Sequence, residues 1–187
     1  MTTRLTNLAI PFVFQFNVTT SGTPEQLTVK RRAATIAFSE NTADADTITD
    51  SASGFLTAGF QAGDQITVSG SASNDGSYVI GSVTAGTITL LARNDLTTEA
   101  AGATVKIVAP KTVPDGIGVS VKAKNANTGI IHIGYSSATA LNTGGASFTL
   151  DNNESIGLQV ENINNIWLDA TVSGEGVEVI YEKNTQA

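Results

Sequence analysis

The stretch that decides the fold runs from Ala34 to Val108 and contains three blocks: TIAFSENTADADTITDSASGFLTAGFQAGDQITVSG (residues 35–70), NDGSYVIGSVTAGTITLLA (74–92) and AGATVKIV (101–108). In these blocks apolar and polar side chains alternate through short runs, and turn residues separate the runs. A period of two is typical of β-strands. Six short strands over about 75 residues, with a turn about every 8–12 residues, predict a small β-barrel or β-sandwich.

The segments on either side of this stretch each contain too few strands to close a core alone. FVFQFNVTTSGTPEQLTV (12–29) comes before it, and VPDGIGVSVKAKNANTGIIHIGYSSATAL (113–141) comes after it, followed by strand-like runs up to residue 181. Together they predict a host domain (1–32 with 109–187) that is interrupted by an inserted domain (33–108), because insertions succeed at exposed loop tips. The predicted fold class is all-β: an antiparallel β-sandwich or jelly-roll-like host of seven or eight strands, with a second small β-barrel or sandwich domain inserted.

Two hairpins are predicted inside the inserted domain. Asn74-Asp75-Gly76 is expected to supply the left-handed residues of a tight turn that joins the strand ending at Val68 to the strand around Tyr78. Ala85-Gly86 is expected to form the second turn.

Composition excludes several classes of protein. Charged residues make up 14% of the 187 residues, the formal net charge is −7 and there is no cysteine. The acidity argues against nucleic-acid binding, which needs a basic face, and the lack of cysteine excludes disulfides and thiolate metal sites. No run approaches the roughly 20 apolar residues of a membrane span, and the N-terminus does not resemble a signal peptide.

Candidate chemical sites favour structural roles. His132, the only histidine, has no recognisable Ser–His–Asp spacing around it, and Trp167 is expected to anchor a core rather than stack on a sugar. The acidic residues Asp44, Asp46 and Asp50 lack the glycine and the terminal glutamate of an EF-type calcium loop. We therefore predict no enzyme activity, no metal and no cofactor.

Two segments are candidates for partner binding. The first is the N-terminal arm, which is rich in Thr, Leu and Ile, and its candidate contacts are Arg4, Leu5, Leu8 and Ile10. The second is Lys30-Arg31-Arg32 at the predicted domain junction. That triplet is either a solvated linker or a contact with an acidic partner surface.

Several motifs resemble those of known proteins. FNVTTSGTPEQL (16–27), VPDGIGVSVKAKNANTGIIHIGYSSAT (113–139) and ESIGLQVENINNIWLDATVSGEGVEVIYE (154–182) together resemble a small β domain common among tailed-bacteriophage virion proteins. In that group the first motif is usually followed closely by the second, whereas about 85 residues separate them here, as an insertion requires. The central block resembles a module that recurs within many phage structural proteins.

The resemblance implies a capsid decoration, or cement, protein on the outside of the virion head. Such a protein is made in the bacterial host's cytoplasm, binds the lattice of the major capsid protein, and forms a homo-oligomer, usually a trimer. In this hypothesis the host domain faces the capsid and the inserted domain, expected to be the more acidic part, projects outward. The alternative is a tail, baseplate or fibre-attachment protein whose inserted domain binds the host surface.

Overall fold

The structure, a computed structural model, describes residues 9–91, 96–113 and 116–184. It confirms the all-β prediction, because almost every element is a strand and every strand pairing is antiparallel. The chain divides into two compact units, and we call Met1–Leu27 with Lys111–Ala187 unit 1 and Thr28–Pro110 unit 2. Residues 28–32, which the sequence prediction gave to the host, thus lie in unit 2.

The strands are short and follow one another closely along the chain. In chain order they are β1 (Ala9–Asn17), β2 (Glu25–Gln26), β3 (Val29–Ala33), β4 (Ile36–Ser39), β5 (Thr47–Asp50), β6 (Gln65–Ser69), β7 (Gly76–Val83), β8 (Thr87–Leu90), β9 (Val105–Ala109), β10 (Val119–Ala123), β11 (Ile131–Gly134), β12 (Phe148–Leu150), β13 (Ser155–Leu158), β14 (Trp167–Ala170) and β15 (Gly176–Asn184). Two single-turn helices, α1 (Phe55–Ala58) and α2 (Ser137–Ala140), and a 3₁₀ turn (Ile163–Asn165) complete the described elements.

Unit 1 consists of two four-stranded sheets, with strand orders β1-β15-β10-β13 and β12-β11-β14-β2. From β12 onward successive strands lie in alternate sheets, so the chain crosses from one sheet to the other at each connection. The large buried apolar side chains of the strands follow the strand alternation; they are Phe12, Phe14, Phe16, Ile131, Ile133, Leu150, Leu168 and Tyr181. Leu27, Ile163 and Ile166 are also buried and come from the connections. This arrangement is consistent with the predicted sandwich.

Unit 2 is a single seven-stranded sheet with the order β3-β9-β6-β7-β8-β5-β4. Its two edge strands, β3 and β4, are separated in the chain only by Ala34 and Thr35. Because three residue steps span at most about 11 Å, the two edges must lie close together and the sheet must curl back on itself. Phe55 and Phe60, from α1 and the residues after it, are buried with their rings edge to face at 5.9 Å.

The chain leaves unit 1 and returns to it at neighbouring positions. Within unit 1, the Leu27 amide donates to the Ile166 carbonyl, and the Ile163 amide donates to the Lys111 carbonyl, so the 3₁₀ turn holds both ends. Within unit 2, Val29 and Ala109 are direct partners of the β3–β9 pair. Closely spaced ends are the geometry that an inserted unit requires.

The first predicted hairpin exists, but its turn differs from the prediction. β6 pairs with β7 from Gln65↔Val79 to Val68↔Gly76. The left-handed residue is Gly70, with φ of 85°, and none of Asn74, Asp75 and Gly76 has a positive φ. Asn74 is instead buried. Its Nδ2 donates to the Thr97 carbonyl, and its Oδ1 accepts from the Thr97 amide. The turn is therefore six residues long and is ordered by side-chain hydrogen bonds.

Candidate interaction surfaces

The outer face of β1 and β15 carries an exposed apolar strip in unit 1. The alternation of β1 buries Phe12, Phe14 and Phe16, as the pattern predicts, and turns Val13 outward. Val13 is 56% exposed and lies directly opposite Ile180 of β15, which is 44% exposed. We call this pair of cross-strand neighbours the apolar strip, and we treat it as a candidate binding surface because exposed apolar patches mark such surfaces.

The backbone of β1 also has an edge that pairs with no other described strand, because β1 is the outermost strand of its sheet; we call it the free edge. The amide of Val18 donates to Glu175 at the end of the β1–β15 ladder. Backbone N–H groups of successive residues in an antiparallel strand point alternately to the partner strand and away from it. Because the Val18 amide points to the β15 side, the amides of Val13, Gln15 and Asn17 point to the free edge. Pro11 has the same parity, so its missing N–H falls at this edge, where proline is tolerated.

The predicted contacts in the N-terminal arm are only partly visible. Arg4, Leu5 and Leu8 lie outside the described residues. Ile10 lies in β1, in register with Lys183 of β15. Residues 1–8 thus precede the edge strand directly.

The basic triplet is part of a strand, and the linker interpretation is wrong. Lys30, Arg31 and Arg32 lie in β3 and pair with Val108, Ile107 and Lys106 of β9. Alternation separates them: Lys30 and Arg32 share the outer face, whereas Arg31 turns inward on the side of the buried Ile107. The three residues therefore do not form one binding surface.

Arg31 forms an ion pair with Asp50 of β5, with its Nε donating to Oδ2 at 2.6 Å. Asp50 is fully buried and accepts three more hydrogen bonds, from the Thr35 hydroxyl at 2.6 Å and from the amides of Ala52 and Gly54 at 3.0 Å each. A Cβ at Gly54 would lie 2.5 Å from Arg31 Nε, so a larger residue there would displace the arginine side chain from its present position. Arg31 lies in β3, Thr35 lies in the β3–β4 connection and Asp50 lies in β5 beside β4, so this network joins the two edges of the curled sheet.

The environment of Asp50 lowers its pKa. Burial alone would raise the pKa of a carboxyl group, but the hydrogen bonds from Arg31, Thr35 and the two amides outweigh it and bring the pKa from 3.8 to about 2. Asp50 is therefore charged at neutral pH, and its charge is compensated inside the fold.

The acidic residues considered for a cation lie in separate surroundings. Asp46 is buried and accepts from the amides of Asn41 and Leu96, whereas Asp44 is exposed. Asp50 belongs to the network with Arg31. Within the described part of the chain, no three acidic or histidine side chains come together in a way that could hold a metal ion.

His132 and Trp167 lie in the second sheet of unit 1. His132 Nδ1 is 2.8 Å from the Ser147 hydroxyl, and burial lowers the pKa of the imidazole in spite of the nearby Asp169. Asp169 itself is buried and accepts from the backbone amides of Gly22 and Asn142, which fastens two loops to the sheet. Trp167 is partly buried and pairs with Gln26 of β2.

The structure adds two surface features that sequence reasoning missed. Lys106 lies directly opposite Arg32 on the outer face of unit 2. In unit 1, two aromatic side chains are exposed, Tyr135 by 80% and Phe148 by 54%. The alternation of a strand would have been enough to place Arg31 on the opposite face from Lys30 and Arg32. The Arg32–Lys106 pair, however, could not be predicted without the β3–β9 register.

The charge of the two units depends on where the boundary lies. Residues 28–110 contain eight acidic and five basic residues, and the remainder contains nine acidic and five basic residues. Unit 2 is therefore not the more acidic unit, because it includes the basic triplet of β3, whereas residues 33–108 alone contain eight acidic and two basic residues.

Comparisons of the chain with family models, with curated proteins and with solved structures each find no match. Among the described residues, no helix is long and apolar enough to cross a membrane.

Proposed function

We propose that this chain is a structural protein of a tailed-bacteriophage particle, a decoration protein that binds the outer surface of the head and stabilises the capsid. The observation that carries the proposal is the β1 surface, where the apolar strip and a free backbone edge lie next to each other. The sequence resemblance to phage virion domains supports the same class of protein.

The β1 surface suits attachment to another protein. A free strand edge accepts an extended segment by backbone hydrogen bonds, and exposed side chains beside the edge supply specificity. The N-terminal arm directly precedes β1 in the sequence, and in the proposed role it contacts the same partner. Attachment through the arm and β1 would distribute binding energy over an interface of ordinary size.

The buried polar groups support a mechanical role. Asp46, Asp50 and Asp169 each bind backbone amides that hold loops in place. In the proposed role many copies, arranged as homotrimers on the virion exterior, bridge capsid subunits and oppose internal pressure. The copies are made in the cytoplasm of the infected bacterium.

Head binding can be tested with three variants of the full chain. Deletion of residues 1–8 and the double substitution Val13→Asp/Ile180→Asp are each expected to lower occupancy on heads that lack the protein. Val172→Asp is the matched control, because Val172 is also exposed, by 42%, and lies outside β1 and β15. The proposal fails if the parent protein does not bind heads, or if all three variants bind as well as the parent.

The second candidate is a tail, baseplate or fibre-attachment protein, and the exposed aromatic side chains favour it. Aromatic rings with one free face are common at binding sites. Tyr135 and Phe148 lie in unit 1, whereas the large exposed apolar side chains of unit 2, such as Leu56 and Leu91, are aliphatic. A host-binding role would thus use unit 1 rather than the inserted unit. Position on the particle distinguishes the two candidates.

A further inference from the structure

Two like charges face each other across the outer surface of unit 2. Arg32 of β3 and Lys106 of β9 are direct cross-strand partners, and both side chains are exposed. Lys30 lies two residues before Arg32 on the same face. We call Lys30, Arg32 and Lys106 the cationic face. Exposed hydroxyl side chains continue this face on β6, where Ser69 is the next partner of Lys106.

The described part of the fold offers no ion pair to Arg32 or Lys106. Cβ atoms of cross-strand partners are about 5 Å apart, and like charges at that distance destabilise a sheet. By contrast, Arg31 on the opposite face is fully matched by Asp50.

Protection of a sheet edge explains only part of the arrangement. Lysine and arginine on an edge strand prevent aggregation, and β3 is an edge strand. Lys106, however, lies on β9, which is paired on both sides. The repulsion between Arg32 on the edge strand and Lys106 on the inner strand therefore needs another explanation. Negative charges of a bound partner would neutralise both side chains.

We propose that the cationic face of unit 2 binds a carboxylate-rich surface of a partner protein. The cationic face is small and belongs to a chain of net charge −7, whereas nucleic-acid binding rests on many contacts between basic side chains and phosphates. The side chains of the cationic face suit a small set of complementary ion pairs, which give specificity and a fast association rate. The inference goes beyond head binding, since it concerns a separate surface and holds for the isolated protein.

The test uses the full chain and a fluorescein-labelled poly-glutamate peptide as the carboxylate probe. Fluorescence anisotropy at low salt should show binding to the parent protein. Arg32→Glu/Lys106→Glu should weaken that binding by about tenfold or more, and added salt should weaken binding to the parent in the same way. Both substitutions keep the strands charged, so circular dichroism should show an unchanged fold.

Lys122→Glu/Lys124→Glu in unit 1 is the matched control, because it changes the net charge by the same amount. It should retain most of the affinity. Equal affinities for the parent and the Arg32→Glu/Lys106→Glu variant would overturn the proposal, and so would tighter binding of inorganic polyphosphate than of poly-glutamate. A change in oligomeric state of that variant in light scattering would also overturn it, since the occupant would then be a second copy of this chain. If the protein proves to be absent from phage heads, the binding of poly-glutamate to the cationic face is still expected, because it is measured on the isolated protein.

Discussion

Replacing Asp50 with alanine should destabilise unit 2 and leave the core of unit 1 intact. The substitution removes the acceptor for Arg31, Thr35 and two backbone amides in a buried place. Breaking a buried ion pair from one side costs about 3–5 kcal/mol, because the remaining charge stays uncompensated. Arg31 keeps some contact with water, so we expect a loss of about 3 kcal/mol in the free energy of unfolding.

The single tryptophan allows the two units to be followed separately. Trp167 lies in unit 1, whereas circular dichroism reports the strands of both units. In a urea titration of Asp50→Ala, the part of the circular dichroism change that comes from unit 2 should therefore occur at a lower urea concentration than the change in tryptophan fluorescence. The tryptophan transition itself should move less, since an unfolded insert acts on unit 1 only as a long loop. Relative to a short turn, a loop of about 80 residues costs roughly 2.5 kcal/mol.

Asp44→Ala is the control for this experiment. Asp44 is exposed and lies in the loop before β5. Its removal should change the free energy of unfolding by no more than about 0.5 kcal/mol. The reasoning is refuted if Asp50→Ala costs as little as Asp44→Ala, or if both probes shift together by the full amount, because the chain would then unfold as one unit.

Four further outcomes are expected. The pKa of Asp50 in the fold is about 2 and its ordinary value is 3.8, so the ionised side chain should stabilise the fold by about 2 kcal/mol above pH 4. This contribution should fade as the pH drops from 3.8 towards 2. Urea titrations at several pH values should show the loss of stability in the parent and not in Asp50→Ala. Joining Leu27 to Lys111 by a short Asn-Gly turn should leave unit 1 folded, and a tryptophan spectrum like that of the unfolded chain would count against the insertion. Gly70→Ala should lower stability by more than about 1 kcal/mol in chemical denaturation, since it places a side chain at positive φ and 2.8 Å from the Thr104 carbonyl. The imidazole of His132 should titrate below its ordinary pKa of 6.5; proton NMR can measure this on the one histidine signal, and a pKa above 6.5 would contradict the burial of its ring.

Strand positions were largely predictable because apolar alternation follows from which face of a strand is buried. Phe12, Phe14 and Phe16 are an example, since one strand contains the whole signal. The boundary between the units was harder: residues 28–32 were assigned to the host domain, yet the chain passes from unit 1, which contains β2, to unit 2, which contains β3, before them.

The interaction surfaces were less predictable because they depend on register and on contacts between distant strands. The triplet at residues 30–32 was recognised as basic, but the role of Arg31 depends on Asp50, which becomes its neighbour only when the sheet curls. Lys106 could not be assigned to the same face as Arg32 without the β3–β9 register. Likewise, Gly70 supplies the left-handed turn because Asn74 is held by hydrogen bonds that local turn propensity does not include.

The measurement that tests the proposed role most directly is the number and position of copies of this chain on purified phage particles. Quantitative mass spectrometry gives the copy number relative to the major capsid protein, and electron cryomicroscopy of particles labelled on this chain gives the position. The account predicts on the order of hundreds of copies, arranged with the symmetry of the head and on its outer surface. A few to dozens of copies confined to the tail or baseplate, or no copies on the particle, would contradict it.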